Sequence, residues 1–233
     1  MFSGSYMLWV LLPSLVLSLY AQWRVKSAYG RWSRVANARG LNGGEVARAL
    51  MDARGLGHVG VERIGGMMTD HYDPRGKVIR LSDSSVQPSV AAMAIVAHEL
   101  GHAEQDKTGD AMLNLRAALV PAANLGSGLA TWLLVGGFAL QSMGSLGLGS
   151  LLAWTGVLLF SAAVLFTLVT LPVEFDASRR AKAWLTETGL ATPDEARGVN
   201  AVLDAAALTY VAAAAGAVLQ LVYWISLLTG RRD

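Results

Sequence analysis

Charged and apolar residues are segregated along the chain. No Asp, Glu, Lys or Arg occurs in residues 1–23, 117–173 or 205–230. About 20 apolar helical residues cross a bilayer core about 30 Å thick, so the first and last runs suit one span each. The middle run suits two spans, because a polar, glycine-containing stretch at 141–145 divides it. We therefore predict four transmembrane helices, at roughly Tyr6–Trp23, Ala117–Leu140, Leu146–Leu171 and Ala205–Leu228.

The first apolar run is the one most open to another interpretation. Pro13 interrupts it, which is also compatible with a buried core helix. A cleaved signal peptide fits less well, because no Lys or Arg precedes the apolar stretch. We therefore retain it as a span.

The charged segment 24–116 has the pattern of a small folded unit. Apolar residues recur at intervals of three and four in residues 45–51, and capping residues flank them, which predicts a short amphipathic helix. Apolar and polar residues alternate in Val59–Ile64 and in Lys77–Leu81, which predicts strands. Proline and glycine at a turn favour a hairpin between Lys77–Leu81 and Met67–His71. This segment is therefore predicted to be mixed α and β.

Composition and charge bear on the possible partners and on the orientation in the membrane. Hydrophobic residues make up 53% of the chain and charged residues 15%, and the formal net charge is +2. A net charge this small does not indicate the strongly basic patch that nucleic-acid-binding proteins have, so no nucleic-acid partner is expected. Four basic residues follow the first predicted span: Arg24, Lys26, Arg31 and Arg34. By the positive-inside rule, both charged segments face the cytoplasm, and both termini, with Arg231 and Arg232, lie outside. The absence of cysteine agrees with a reducing compartment.

The candidate chemistry follows an apolar run that begins at Val90 and predicts a helix. His98, Glu99 and His102 form an H-E-x-x-H motif on this helix. Residues four apart lie on one side of a helix, so both imidazoles can reach one zinc ion. The glutamate between them can then act as general base toward a zinc-activated water. The motif predicts a zinc hydrolase, with structural histidines in a packed helix as the alternative.

A third zinc ligand must come from another part of the chain. Position 108 is threonine, where one branch of the zinc proteases has its third histidine. His58 and His71 remain as histidine candidates, and the others are carboxylates. Glu174 follows Pro172, after which a helix can restart on the same side of the membrane as the motif. Glu174 is therefore a candidate ligand, although it could also be an acid favoured at a helix start or the partner of a nearby arginine.

Several segments in order resemble the bacterial membrane neutral zinc metallopeptidases of the YugP-like type. They are residues 21–27, Asp70–Arg75, Val78–Ser82, His98–His102, Leu119–Ala123, Thr170–Ala181 and Ala205–Ala213. The resemblance implies a membrane peptidase that binds zinc through His98, His102 and Glu174.

The resemblance extends weakly to the membrane gluzincins, in which the ligand glutamate opens an E-x-x-x-D motif. The aspartate of that motif supports the first histidine, but position 178 is serine here. Metal-bound histidines usually have such a partner. Asp176, Ser178 and Asp204 are the candidates for this supporting role.

Two further residues are weaker candidates for the site. His71 is predicted either as an oxyanion donor or extra ligand, or as a turn histidine bonded to Asp73. Tyr210 is predicted either as an oxyanion stabiliser or as an interfacial aromatic anchor. The hairpin at 67–81 is predicted to pair with an extended substrate through backbone hydrogen bonds.

The sequence as a whole predicts a mainly α membrane protein with about four transmembrane helices and a small zincin-like α+β cytoplasmic unit. The predicted segments are 1–23 (first span), 24–116 (cytoplasmic unit), 117–171 (second and third spans), 172–204 (cytoplasmic helical segment with the third ligand) and 205–233 (fourth span and tail).

The predicted function is a zinc metalloendopeptidase with one Zn²⁺ per chain. It would hydrolyse peptide or membrane-protein substrates near the cytoplasmic side of the bacterial inner membrane, with the lipid bilayer around its spans. Cleavage inside the bilayer is a variant that we rank lower, since charged residues closely follow the motif. A catalytically silent zinc-binding scaffold is the alternative.

Overall fold

The computed structural model describes residues 4–230, and helices dominate them. The helices are α1 (Gly4–Trp32), α2 (Gly43–Arg54), α3 (Val90–Lys107), α4 (Ala111–Ser142), α5 (Leu146–Glu187) and α6 (Pro193–Thr229). The strands are β1 (Gly60–Arg63), β2 (His71–Asp73) and β3 (Val78–Leu81). The prediction of a mainly α membrane protein with a small β component is confirmed.

Within residues 4–230, four helices are long and apolar enough to cross a membrane: α1, α4, α5 and α6. Each contains one predicted span, but α1 continues beyond Trp23 to Trp32, and α6 begins at Pro193 rather than near Ala205. Arginine, lysine and alanine have high helix propensity, so a helix can extend past its apolar run. Arg231 and Arg232 lie outside the described residues.

Pro172 does not restart the helix, and that prediction is wrong. It lies inside α5, which is continuous over 42 residues. A proline in a helix interior removes one backbone hydrogen bond and costs about 3 kcal/mol. The remaining hydrogen bonds of so long a helix outweigh this cost, so Glu174 lies in a helix interior.

The chain divides into two compact units, and the first comprises residues 4–19, 114–171 and 210–230. Its helices approach closely where side chains are small. A Cβ atom at Gly137 would lie only 2.7 Å from the backbone nitrogen of Ala153. The Tyr6 hydroxyl donates a hydrogen bond of 2.7 Å to the side-chain oxygen of Gln220. Small residues and interhelical hydrogen bonds are the usual means of packing membrane helices.

The second unit comprises residues 20–113 and 172–209 and contains a hydrophobic core. Helix α2 has the predicted amphipathic pattern and buries Val46, Ala47 and Leu50. Asn42 and Glu45 form a capping box at its start, with the Asn42 side chain accepting from the Glu45 N–H. Gly55 ends it with φ of 63°, a left-handed conformation that glycine adopts at low cost. Large fully buried side chains of this core include Leu50, Leu56, Ile79, Met93, Leu100 and Leu185.

The sheet of the second unit has the strand order β1-β3-β2. Strand β1 is parallel to β3, and β2 is antiparallel to β3, with Tyr72 opposite Ile79. The predicted hairpin is present, but its first strand is His71–Asp73 rather than Met67–His71. Gly66 and Met68 have φ of 102° and 58°, which is incompatible with a strand. Because the strand order is β1-β3-β2, strand β2 lies at an edge of the sheet.

Candidate metal centre

Helix α3 carries the H-E-x-x-H motif into the core of the second unit. The Ser89 hydroxyl caps its start by accepting a hydrogen bond from the Ala92 N–H at 3.1 Å. The residues that precede the motif, among them Met93 and Val96, are buried. Packing on this side fixes the rotation of the helix, and residues four apart then project together. The two motif histidines therefore point in a common direction.

His98, His102 and Glu174 come together around one point. Each offers one ligand atom, and these three atoms lie within 4.8 Å of one another. The Glu174 Oε2 atom is 3.2 Å from Nε2 of His98 and 3.6 Å from Nε2 of His102. The Glu174 residue is only 2% exposed. Two imidazole nitrogens and one carboxylate oxygen are a donor set that suits zinc and leaves a fourth tetrahedral position open.

Gly101 allows α5 to approach this point closely. A Cβ atom at Gly101 would lie 2.7 Å from the carbonyl oxygen and 3.0 Å from Cα of Ala177. These distances are shorter than ordinary van der Waals contact, so only glycine fits at this crossing. Ala177 lies one turn after Glu174, and the close crossing therefore brings Glu174 to the histidines.

The ring of His102 is held by a buried glutamine. Its Nδ1 atom is 3.0 Å from Oε1 of Gln105, which is 0% exposed. The Gln105 side-chain nitrogen donates to the Val173 carbonyl at 2.9 Å and to the Asp176 carboxylate at 3.0 Å. Gln105 was not among the residues predicted from the sequence. The sequence feature that could have identified Gln105 is its spacing: it lies three residues after His102, so the two side chains are neighbours on the same side of the helix.

The ring of His98 has a different partner. Its Nδ1 atom is 3.1 Å from the Ser178 hydroxyl, one of the three residues predicted for a supporting role. Asp176 reaches His102 only through Gln105, and it also binds Arg179 and Arg180.

The third supporting candidate lies elsewhere on the surface of the unit. The Asp204 carboxylate binds the Lys182 ammonium group and is 61% exposed. That pairing gives Asp204 an ordinary surface role within the described contacts of the second unit.

Glu99 lies between the two histidines in sequence and is oriented by β2. Its Oε2 atom accepts a hydrogen bond of 3.0 Å from the Tyr72 N–H. Burial raises the pKa of Glu99; the histidines beside it oppose this change, and the Glu174 carboxylate adds to it. A glutamate held beside the histidines can exchange protons with a group bound there.

Tyr72 ties β2 to α3 a second time. Its hydroxyl donates a hydrogen bond of 2.5 Å to the Asp106 carboxylate, which also receives one from Lys77. Burial alone would raise the pKa of Asp106, but the hydrogen bonds from Lys77 and Tyr72, together with nearby positive charge, outweigh it and hold the pKa below its usual range. Burial, followed by the bond to Asp106, raises the pKa of Tyr72 well above its ordinary value. The edge strand is thus fixed to the motif helix by backbone and side chain.

The weaker candidates are placed as follows. His71 is exposed, and its Nδ1 atom is 2.9 Å from the Thr69 carbonyl oxygen. The predicted bond to Asp73 is wrong, because the Asp73 carboxylate pairs with Arg80 at 2.8 Å. Tyr210 belongs to the first unit, and its part in catalysis stays a prediction.

Comparison with known proteins agrees with a zinc site at His98, His102 and Glu174. A family model described as "Putative neutral zinc metallopeptidase" matches residues 7–229. The chain is 43% identical over 223 residues to the protein "Putative membrane protease YugP" of Bacillus subtilis (strain 168), covering 95% of this chain and 96% of that protein. No solved structure matches the chain.

Proposed function

Because this chain belongs to the neutral zinc metallopeptidase family, we propose that it is a membrane-embedded zinc metalloendopeptidase. His98, His102 and Glu174 would hold one Zn²⁺ per chain. The observation that carries this proposal is the convergence of their three ligand atoms within 4.8 Å, with Glu99 in the same motif. The name of the Bacillus relative supports proteins as the substrate class.

Zinc at such a site lowers the pKa of a water molecule toward neutrality and polarises a scissile carbonyl group. The residues of the chain supply the proton transfers and the alignment. Glu99 takes the proton from the attacking water and returns it to the leaving amine. The Tyr72 N–H holds one carboxylate oxygen of Glu99, which leaves the other oxygen free to meet the water. Strand β2 lies at the edge of the sheet, and because its Tyr72 N–H is bound to Glu99, an extended peptide would pair with the remaining outward backbone groups of this strand.

We place the reaction near the cytoplasmic side of the bacterial inner membrane, with both termini outside. Arg24, Lys26, Arg31 and Arg34 support this orientation, since basic residues that flank a span favour the cytoplasm. A peptide or a membrane protein would be the substrate. Lipid would surround the exposed apolar side chains of the first unit, such as Trp9, Leu125 and Leu158.

The test replaces Glu99 with glutamine and offers a proteome-derived peptide library, with products read by mass spectrometry. General acid–base catalysis contributes about 10²- to 10⁴-fold, so Glu99→Gln should lose cleavage by that factor while retaining zinc. Glu104→Gln is the matched control, because it makes the same chemical change on α3 outside the motif. Unchanged cleavage by Glu99→Gln would contradict the proposed role of Glu99. Zinc binding by the wild type without any cleavage of the library would favour the scaffold alternative.

A further inference from the structure

Gln105 is a fully buried polar residue that the proposed chemistry leaves without a role. It lies on α3 one turn after His102, and its side chain makes three hydrogen bonds inside the second unit. A buried amide whose donors and acceptor are all engaged has a defined orientation. The partners of Gln105 reveal that orientation.

The amide nitrogen of Gln105 faces two groups that can only accept hydrogen bonds. They are the Val173 carbonyl at 2.9 Å and the Asp176 carboxylate at 3.0 Å. Exchanging the nitrogen and oxygen of the amide would place oxygen against both acceptors, so the observed orientation is the satisfied one. The amide oxygen must therefore face Nδ1 of His102.

An amide oxygen can only accept, so Nδ1 of His102 must carry the hydrogen. In a neutral imidazole the other nitrogen then has a free lone pair. That nitrogen, Nε2, is the one directed toward Glu174, at 3.6 Å from its Oε2 atom. The contact with Gln105 thus selects the tautomer in which Nε2 can bind a metal.

His98 is held in a less restrictive way. Its Nδ1 atom faces the Ser178 hydroxyl at 3.1 Å, and a hydroxyl can either donate or accept. Ser178 is therefore compatible with either tautomer of His98. At the Nδ1 position, the nitrogen that does not face Glu174, only His102 of the two histidines has a partner that dictates where the hydrogen lies.

Gln105 also links the two helices that supply ligands. It lies on α3, while Val173 and Asp176 flank Glu174 on α5. Arg180 binds the same oxygen of Asp176, so this carboxylate has a fixed position for Gln105 to bind. One side chain therefore selects the tautomer of His102 and also ties α3 to the part of α5 that carries Glu174.

We infer that Gln105 is a positioning residue that holds His102 in the Nδ1–H tautomer and aligns it with Glu174 for metal binding. This inference rests on the proposed function, in which His102 is a zinc ligand. Residues that hydrogen-bond to metal-bound histidines typically change metal affinity by about 10- to 100-fold.

The first experiment determines the histidine tautomers in metal-free, ¹⁵N-histidine-labelled full-length protein by NMR. The chain has four histidines, so single substitutions assign each signal. The neutral form of His102 should be the Nδ1–H tautomer. An Nε2–H tautomer at His102 in the wild type would overturn the inference without any variant.

The second experiment measures zinc affinity by competition with a chromophoric chelator. Gln105→Leu should bind zinc about 10- to 100-fold more weakly and lose the tautomer preference of His102. Gln105→Glu keeps an acceptor for His102 but directs a carboxylate at Asp176, so it should also bind more weakly. Adding Asp176→Asn to Gln105→Glu restores a donor opposite position 105 and should recover part of the affinity.

The outcomes separate this inference from the proposed function. Wild-type affinity and an unchanged His102 tautomer in Gln105→Leu would refute the role of Gln105 and leave the zinc site intact. Absence of zinc binding in the wild type would refute the proposed function and the metal-binding part of this inference, while the tautomer measurement would still show whether Gln105 holds His102 in the Nδ1–H form. If Gln105→Leu does not fold, the wild-type tautomer and the paired substitutions remain decisive.

Discussion

The close crossing at Gly101 gives a sharp prediction about the metal centre. In Gly101→Ala the new methyl group would lie 2.7 Å from the Ala177 carbonyl oxygen, whereas ordinary contact begins at 3.4 Å. The difference of 0.7 Å, from 3.4 minus 2.7, is the separation that α3 and α5 must gain along this line. Metal–ligand distances tolerate only about 0.2 Å, so Glu174 would leave bonding range of a metal held by the histidines.

The effect on stability has two opposing parts. Overpacking a tight contact costs about 1–3 kcal/mol, and replacing glycine with alanine in a helix gains about 1 kcal/mol. Gly101→Ala should therefore be less stable than the wild type by about 0–2 kcal/mol, while its zinc affinity should fall at least about tenfold, or about 1.4 kcal/mol. The main effect is expected on metal binding.

Chelator competition for zinc and thermal unfolding of the metal-free protein measure the two parts. Gly30→Ala is the matched control, because it makes the same change in a helix of the second unit where a Cβ atom meets nothing within 4 Å. The control should keep its zinc affinity and should be as stable as the wild type or slightly more so. Equal zinc affinity in Gly101→Ala and Gly30→Ala would refute the idea that this crossing sets the ligand spacing.

Three further predictions concern other contacts of the chain. Ser178→Ala should weaken zinc binding by less than Gln105→Leu, because the Ser178 hydroxyl leaves the tautomer of His98 open; chelator competition compares the two. Asp106→Asn should lower the thermal stability at neutral pH. Folding lowers the pKa of Asp106, so the ionised side chain stabilises the fold at a pH above the usual aspartate pKa, and this stabilisation is lost as the pH falls through the pKa of Asp106 in the folded protein. The difference in unfolding temperature between Asp106→Asn and the wild type should therefore shrink on acidification. In this cysteine-free chain, an impermeant maleimide applied to spheroplasts should label Met143→Cys and spare Glu62→Cys, and the reverse pattern would contradict the proposed orientation.

The spans and the motif helix could be predicted because each depends on local pattern. A charge-free run of bilayer length and an H-E-x-x-H spacing are visible in the sequence without knowledge of the fold. Their ends were less predictable. The α5 helix continues through Pro172 because its other hydrogen bonds outweigh the one lost.

The parts that could not be predicted depend on long-range contacts. The start of β2 is set by the left-handed backbone at Met68 and by Asp70, whose carboxylate binds Ser82 and Ser85. The sequence offers Asp176, Ser178 and Asp204 for a supporting role, whereas the partner of His102 is the Gln105 amide of the same helix, which in turn binds Asp176. Only the packing of α3 against α5 makes this arrangement visible.

The order of spans along the chain predicts that Glu174 lies on the same side of the membrane as the motif. Nothing in the sequence predicts that Glu174 is buried. A carboxylate that is 2% exposed requires partners, and the structure supplies two histidine nitrogens. This burial favours a candidate ligand over the alternatives that the sequence also allowed, an acid at a helix start or the partner of a nearby arginine.

The measurement that tests the central claim most directly is zinc per chain, by elemental analysis of detergent-purified protein. The wild type should contain about one zinc, and Glu174→Ala should lose most of it, because the variant removes the one carboxylate among the three ligand atoms. Glu187→Ala is the control, since it removes an exposed glutamate of the same helix. Full zinc retention in Glu174→Ala, or no zinc in the wild type, would contradict the two-histidine, one-glutamate site.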